Sequence, residues 1–339
     1  MLNLDAVIVT FNRLKKLKHA LECYDKQTVP FRTLIVVDNH STDGTIEFLR
    51  DWETQNADYK KIVIYLPSNV GGSGGFYEGE KYAMEHDADW VYISDDDAYP
   101  EERLVEKFQL FYDQHSNEKM SAICAAVTYI NGEIIDWTRG HIAIKNNRFL
   151  ETPATKDEYS SPYFEFNAIS YVGAFISTNA MKQVGLVNPD FFIYQDDIEH
   201  SIRLSKYAPM YCVPDIKVVH DTDIMTQMTD EDKKRILWKE YYLARNFIYM
   251  IIQHYPAIKN AEIIHRLDSI RSHRDSSMTI AEKMRLEGVW DAIHGRLGIH
   301  KVYHPGMDVN TEDDPYPALI WQIVYWLLRI RRKFVKNQD

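Results

Sequence analysis

Cysteine is scarce in this chain, and what there is does not cluster. Cys23, Cys124 and Cys212 lie far apart and none forms a C-x-x-C pair. That excludes a disulfide framework and a cysteine zinc site, and fits a reducing compartment. No run of eighteen apolar residues occurs, so no transmembrane helix is expected. The opening MLNLDAVIVTFNR carries Asp5 early, with no basic n-region or cleavage site, so a secretory signal is not expected either. Positive charge is in deficit: 39 Lys and Arg against 50 Asp and Glu give a formal net charge of −11. Bulk binding to nucleic acid needs a basic face, so no nucleic-acid partner is expected. There is no internal repeat and no low-complexity tract. The pattern G-x-x-x-x-G-K-[ST] is missing, so there is no P-loop. No glycine-rich turn follows the first predicted strand, so there is no dinucleotide fingerprint.

What is present is a core and an alternation. At 339 residues, 45% of them hydrophobic, the chain suits one large domain or two smaller ones. Ala6 to Thr10 is a β-branched run and predicts a first strand. Asn12 is placed to cap a helix from Arg13 to about Tyr24. Thr33 to Val37 is a second strand ending in Asp38, and Asp43-Gly44 turns into a helix to about Trp52. Lys61 to Leu66 is a third strand. PSNVGGSGGFYEGEKYAMEH follows as a glycine-rich loop entering a helix. Strand and helix alternating at this spacing mean βαβ units and a mostly parallel sheet.

VYISDDDAYP is the stretch the rest is organised around. Trp90 to Ile93 reads as a buried strand, and a helix is predicted from near Pro100. Asp95, Asp96 and Asp97 then sit at the carboxyl end of a strand, where open α/β sheets bind ligands. Three adjacent carboxylates repel one another. Hard oxygen ligands of this kind suit Mg²⁺ or Mn²⁺, usually shared with a phosphate. The bland alternative is an acidic turn capping a helix. Asp38 ends its strand in the same manner, to accept from a ribose or base N–H or to cap a helix. Gly71, Gly72, Gly74 and Gly75 let backbone approach a ligand, and the helix start behind them favours an anion.

The middle of the chain changes character. NGEIIDWTRGHIAIKNN predicts hairpins, and Asn167 to Ser177 a strand containing a close-approach Gly173. Asp196 to Tyr207 predicts a helix whose first turn holds Asp196, Asp197 and Glu199, which the helix dipole alone would favour. Lys217 to His220 is a last short strand. Beyond about residue 222 the pattern is helical, giving a division into 1–222 and a helical region 223–339. PALIWQIVYWLLRIRRKFVK near the end has Leu319, Ile323, Trp326, Leu327 and Ile330 on one face, followed by basic residues. It suits an interfacial helix on an anionic membrane, or an oligomer contact.

Taken in order, TFNR, VVDNHSTDGT, a D-x-D type triplet and GAFISTNAMKQVGLVNPDFFIYQDDIEHSIRL resemble the family 2 glycosyltransferases over residues 5 to 220. NVGGSGGF, DDD, DD-x-E and a histidine some two dozen residues later are most similar to bacterial galactofuranosyltransferases, with rhamnosyltransferases sharing much of the pattern. The resemblance implies a GT-A fold, an α/β Rossmann-like core. It implies that Thr10, Phe11, Arg13 and Asp38 hold uridine. Asn69 and Gly71, Gly72, Ser73, Gly74 and Gly75 would lie beside the diphosphate and sugar. Asp95, Asp97 and His220 would bind the metal, with Asp96 turned toward the donor. Asp197 would be the base, in an acid pair with Asp196, with Glu199 orienting the acceptor. Arg245, in the family-like YYLARN, would also contact substrate. The implied partners are a UDP-linked donor and a glycan or lipid-linked acceptor. The C-terminal amphipathic segment, read on its own, would place the chain in the cytoplasm, peripheral on the inner face of the plasma membrane. The chain departs from its likest relatives in having VGAF where they carry a tryptophan-rich strand.

The chemistry has its own logic. A divalent ion on the diphosphate stabilises the leaving group, and one carboxylate takes the acceptor proton. A covalent sugar intermediate would need a second, closer nucleophile, for which no separate candidate exists, so inversion is expected. Two rival functions would leave different marks in the sequence. A sugar-nucleotide nucleotidyltransferase should have a glycine-rich basic loop after the first strand, where this chain has TFNRLKKLKH. A non-catalytic glycan-binding scaffold would not need both acid clusters and His220.

Overall fold

The computed structural model describes residues 2–222, 229–270 and 279–307. The basic amphipathic segment near the C-terminus lies outside the described residues. The described chain divides into two units. One holds residues 1–142, 151–192 and the stretch from Asp196 through the last strand. Residues 143–150 and 193–195 group with the C-terminal residues in the other.

The first unit begins as the β-branched runs predict. β1 (Leu4–Thr10), β2 (Thr33–Asp38) and β3 (Lys60–Tyr65) alternate with α1 (Leu14–Asp25), α2 (Thr45–Thr54) and α3 (Gly71–Glu85). β4 (Trp90–Asp95) follows α3 and pairs in parallel with β1. β1 and β2 are buried at every position, as strands covered on both faces must be. Asn12 does not cap α1. It takes φ 53°, and its Oδ1 accepts from the Thr42 N–H at 2.7 Å. Asp43 does the capping from a distance: its carboxylate accepts from the N–H groups of Leu14, at 3.0 Å, and Thr45, at 3.2 Å. One side chain thereby ties the starts of α1 and α2 together.

No helix starts at Pro100. Asp96 and Asp97 form a tight turn into β5 (Ala98–Pro100), and α4 begins only at Leu104 (Leu104–Gln114). β5 is an edge strand, where proline's missing N–H is tolerated. β6 (Ala122–Thr128) is fully buried. β7 (Arg139–Lys145) and β8 (Arg148–Pro153) follow, joined through Asn146 and Asn147 at φ 52° and 56°, the left-handed pair of a tight hairpin. Next come α5 (Lys156–Tyr159), β9 (Phe164–Phe166) and β10 (Ala168–Ile169). The strand predicted over 167–177 is broken: Gly173 takes φ 70°, and β11 covers Ala174–Ser177 alone. α6 (Thr178–Val184), α7 (Asp196–Tyr207) and β12 (Met210–His220) complete the unit.

The sheet order is β3-β2-β1-β4-β11-β6-β12-β5, with β9 also on β12. β11 runs antiparallel between β4 and β6, so the sheet is mixed. The pairing that matters for function is β12 with β5, which sets His220 opposite Ala98. The Asp221 N–H donates to the Asp97 carbonyl at 2.8 Å, extending the same ladder. Phe108, Phe175 and Tyr92 are buried together in the core beneath; each contributes roughly 1.5–3 kcal/mol by burial.

The second unit contains α8 (Asp230–Arg235), α9 (Lys239–His254), α10 (Lys259–Ile270) and α11 (Ile280–Ile293). Gly288 on α11 lets that helix approach α9 so closely that a Cβ would sit 2.4 Å from the Tyr241 carbonyl oxygen. Among the described residues no helix is long and apolar enough to cross a membrane.

Candidate active site

The β4–β5 turn and the end of β12 bring three ligating side chains together. Ligand atoms of Asp95, Asp97 and His220 lie within 4.8 Å of one another. His220 Nε2 is 3.2 Å from Asp97 Oδ1 and 4.0 Å from Asp95 Oδ2. Two carboxylates and an imidazole make a donor set that Mn²⁺ or Mg²⁺ accepts, and the Asp95 side chain is 38% exposed toward solvent. The residues therefore fit a divalent ion.

The protein supplies cations of its own beside these acids. Arg13 Nη1 lies 2.8 Å from Asp97 Oδ2 and 3.2 Å from Asp96 Oδ1. Lys16 Nζ stands 3.5 Å from Asp97 Oδ2 and also donates to the Asp221 carbonyl. Burial alone would raise the Asp97 carboxyl, but His220, Arg13 and Lys16 hold it down at about 2. Asp96 goes the other way: burial pushes it up to about 7 against the pull of Arg13. Its Oδ2 accepts from the Thr10 hydroxyl at 2.7 Å. Thr10, Arg13 and Asp96 are thus engaged with one another, so Asp96 turns onto β1 and α1. Burial pulls the His220 imidazole down, but its hydrogen bond to Asp97 and the charges of Asp97 and Asp95 together outweigh it, so His220 is raised.

Asp38 is buried, and both its oxygens accept from the Ser41 N–H, at 3.3 and 3.2 Å. It closes a turn; α2 begins farther on, at Thr45. Phe11 is partly buried beside Asn12. Asn39, which sequence reasoning passed over, holds the start of the glycine segment with both ends of its own amide. Its amide donates to the Gly71 carbonyl at 2.9 Å and accepts from the Val70 N–H at 2.8 Å, while Asn69 Oδ1 accepts from the Gly71 N–H at 2.8 Å.

The glycines are not a loop. They are the first turns of α3, and protein packing accounts for most of them. A Cβ on Gly71, at φ +78°, would meet the Phe192 carbonyl oxygen at 2.0 Å, and one on Gly75 would meet Val9 at 2.5 Å. At Gly72 nothing lies within 4 Å, so it is the member of the set that faces open space. Gly71→Ala should therefore destabilise by about 3 kcal/mol or more, and Gly72→Ala by roughly 1 kcal/mol at most. Thermal melts of the two variants check this.

Asp196 and Asp197 open α7, as the acidic first turn predicted. Asp197 is partly exposed. Desolvation and then the neighbouring Asp196 charge hold its carboxyl well above the usual range, and Glu151 and Asp95 add to this. The Asp95 field reaches Asp196 as well, so both acid clusters share one electrostatic neighbourhood. Just before them the backbone is strained: Phe192, Tyr194 and Gln195 take φ 67°, 66° and 65°. Such values in non-glycine residues cost energy and collect at functional sites. Glu199 is occupied within its own unit. Both its oxygens accept from Arg203, at 2.8–3.1 Å, whose remaining N–H groups go to the carbonyls of Val184, Gly185 and Leu186.

In the second unit Arg245 is buried on α9, donating to Asn246 Oδ1 and to the Gly298 carbonyl. Asn246 in turn donates to the carbonyls of Ile193 and Tyr194, each at 2.8 Å. Its amide anchors the strained segment that leads into α7. A further unforeseen residue is Arg139. It is fully buried and donates to the carbonyls of Ala125, Thr138, Ser170, Val172 and Gly173. It thereby pins the break before β11, the VGAF stretch.

Comparison with known proteins adds to this geometry. The galactofuranosyltransferase GlfT1 of Mycobacterium tuberculosis (strain ATCC 25618 / H37Rv) is 27% identical over 203 residues, covering 59% of this chain and 63% of that protein. This chain thus spans less than two thirds of that relative. GlfT1 of Mycolicibacterium smegmatis is 24% identical over 263 residues, 73% of this chain and 82% of that protein. Two solved structures share the fold. GalNAc-T7 with UDP, GalNAc and Mn²⁺ superposes with a TM-score of 0.62 at 14% identity, over 87% of this chain and 56% of that one. The mannosyltransferase PcManGT from Pyrobaculum calidifontis with GDP-Man and Mn²⁺ gives 0.52 at 14% identity, over 97% of this chain and 80% of that one. The model of the family "Glycosyl transferase family 2" matches residues 5–184, more than half of the chain, and on that match the chain belongs to glycosyl transferase family 2.

Proposed function

We propose that this chain is an inverting, metal-dependent glycosyltransferase that moves galactofuranose from UDP-galactofuranose to a hydroxyl of a cell-surface glycan or lipid-linked acceptor. The observation that carries the reading is the meeting of Asp95, Asp97 and His220 within the electrostatic neighbourhood of Asp196 and Asp197. The sugar rests on resemblance to the galactofuranosyltransferases GlfT1. The proposed membrane location rests on the C-terminal sequence alone.

Each residue has a task. Asp95, Asp97 and His220 would hold Mn²⁺ or Mg²⁺, which when bound supplies Lewis-acid stabilisation of the diphosphate leaving group. Arg13 and Lys16 keep Asp97 ionised, so it is ready as a ligand at neutral pH. The open face at Gly72 lets the donor approach α3, whose N-terminus favours its negative charge. Asp197 removes the acceptor proton as the hydroxyl attacks. Its raised pKa brings its basicity nearer to neutral pH, where general bases work best. Glu199 and Arg203 hold α7 so that Asp197 stays in place.

The test is a panel of nucleotide sugars, scored by thermal shift and donor hydrolysis in the presence of Mn²⁺. UDP-galactofuranose is expected to give the largest response. A clear preference for a deoxythymidine-linked rhamnose donor would transfer the assignment to the rhamnosyltransferases. No response to any nucleotide sugar would remove it.

A further inference from the structure

Behind the acid pair lies a polar cluster that the reaction above does not use. Glu80 on α3, Tyr171 before β11 and His200 on α7 are all buried, Glu80 and His200 fully. The Tyr171 hydroxyl contacts Glu80 Oε1 at 3.2 Å and also His200 Nδ1. His200 Nε2 faces the Gly185 carbonyl at 3.1 Å. The other oxygen of Glu80 accepts from the Val187 N–H at 2.9 Å.

Counting protons shows what the cluster requires. The contacts Glu80–Tyr171, Tyr171–His200 and His200–Gly185 each need one proton between two heavy atoms. A neutral imidazole brings one and the phenol brings one. The Gly185 carbonyl can only accept, so the imidazole proton belongs on Nε2 and Nδ1 is a bare lone pair. The phenol then faces two acceptors with a single proton. If Glu80 is a carboxylate, one contact sets lone pair against lone pair in a fully buried place, which is costly. The third proton must be added. Arg203 shares the Gly185 carbonyl with His200 and opposes a charge on the imidazole, which is held down at about 3 chiefly by burial.

We propose that Glu80 is a protonated positioning residue: it carries the third proton, donates to Tyr171, and so locks α3 to the helix that bears the catalytic acids. The proposal rests on the reading of Asp197 as base. His200 lies one turn from Asp196, and Glu80 lies two turns from Ser73 and the glycines. The groups facing Glu80 are Tyr171, His200, Arg203 and Asp196. With its proton, Glu80 is neutral beside Asp196 and adds nothing to the charge that Asp196 and Asp197 must bear. Without it, a third carboxylate joins them and the Tyr171 contact is lost. Burial raises its carboxyl from 4.5 to about 7, which sets the window. The folded state then binds the proton that the unfolded chain releases. That contribution to stability is complete below 4.5 and is lost as pH rises through about 7.

Glu80→Gln tests this, because its amide supplies the donor permanently and its oxygen still accepts from Val187. Melting temperatures of wild type and E80Q are compared across pH. E80Q should gain on wild type steadily from about pH 5 to about pH 7.5, after which the gap should level off. A gap that is flat or shrinks with pH overturns the proposal. In the transfer assay, the alkaline fall in kcat should move up by about one pH unit or more in E80Q, with donor KM unchanged. An unmoved alkaline limb also overturns it. Infrared spectra serve if E80Q does not fold. Asp96, Asp196 and Asp197 are raised too, so the spectra are taken with those three replaced by Asn: a protonated carboxyl band should be present near pH 6 and gone by about pH 9, and its absence near pH 6 refutes the assignment. The melts and the infrared band need no donor. If no nucleotide sugar is turned over, the proposed function fails while these readouts still decide the proton's place.

Discussion

Asp197→Asn is expected to lower transfer by about 10²–10⁴-fold while leaving UDP affinity within about twofold. The amide keeps the size of the side chain and can still accept from the Ile198 N–H, which Asp197 Oδ1 does now at 2.8 Å. What it loses is the lone pair that takes a proton. Asp196→Asn removes the like charge beside Asp197, so it should shift the acidic limb of the pH profile downward with a smaller loss of rate. The sign follows from the shift: a neutral neighbour makes Asp197 easier to ionise, so it becomes a competent base at lower pH. Turnover of Asp197→Asn near the wild-type level would move the base to Asp196, since Glu199 is already clasped by Arg203.

Removal of the divalent ion should cost at least as much. Stabilising the diphosphate leaving group is worth several kcal/mol, so chelation should abolish detectable transfer and added Mn²⁺ or Mg²⁺ should restore it. His220→Ala should raise the Mn²⁺ concentration needed for half-maximal activity by at least about tenfold. The fold should survive, because His220 is the last residue of β12 and its side chain points to Asp97 and Asp95 rather than into the apolar core. The control is Lys16→Met. It frees Asp97 from one cation without removing a ligand, so it should change metal affinity far less than His220→Ala does.

The sequence shows the first half of the fold plainly, and the site only in pieces. β1, β2 and β4 stand out because each is an apolar run buried on both faces, so its pattern depends on few neighbours; β3, at the sheet edge and only partly buried, is legible from its β-branched KIVIY alone. The Asp196–Tyr207 helix is legible because its acidic first turn is local chemistry. The insertion of β11 between β4 and β6 is not legible, since it depends on pairings some fifty and eighty residues away. Nor is β5. Ala98 to Pro100 has no strand signal of its own and exists because β12 offers an edge. That pairing is what delivers His220 to Asp97, so the convergence could be expected from resemblance but not from spacing. Glu80, Tyr171, His200 and Arg139 were invisible for a related reason. Each looks ordinary in its own segment and becomes informative only when its buried partners are known. The glycines of α3 misled because absence of a side chain signals close approach without saying to what. At Gly71 and Gly75 the approaching atoms belong to the protein.

The most direct test of the central claim is UDP binding measured by titration calorimetry, with Mn²⁺ and with chelator, on wild type and on the Asp95→Ala and His220→Ala variants. Asp95, Asp97 and His220 should hold a metal that carries the nucleotide diphosphate. Wild type should then bind UDP with Mn²⁺ at least about tenfold more tightly than in chelator, and either substitution should erase the difference. Equal affinity in Mn²⁺ and in chelator, or a metal effect that survives both substitutions, would contradict the account.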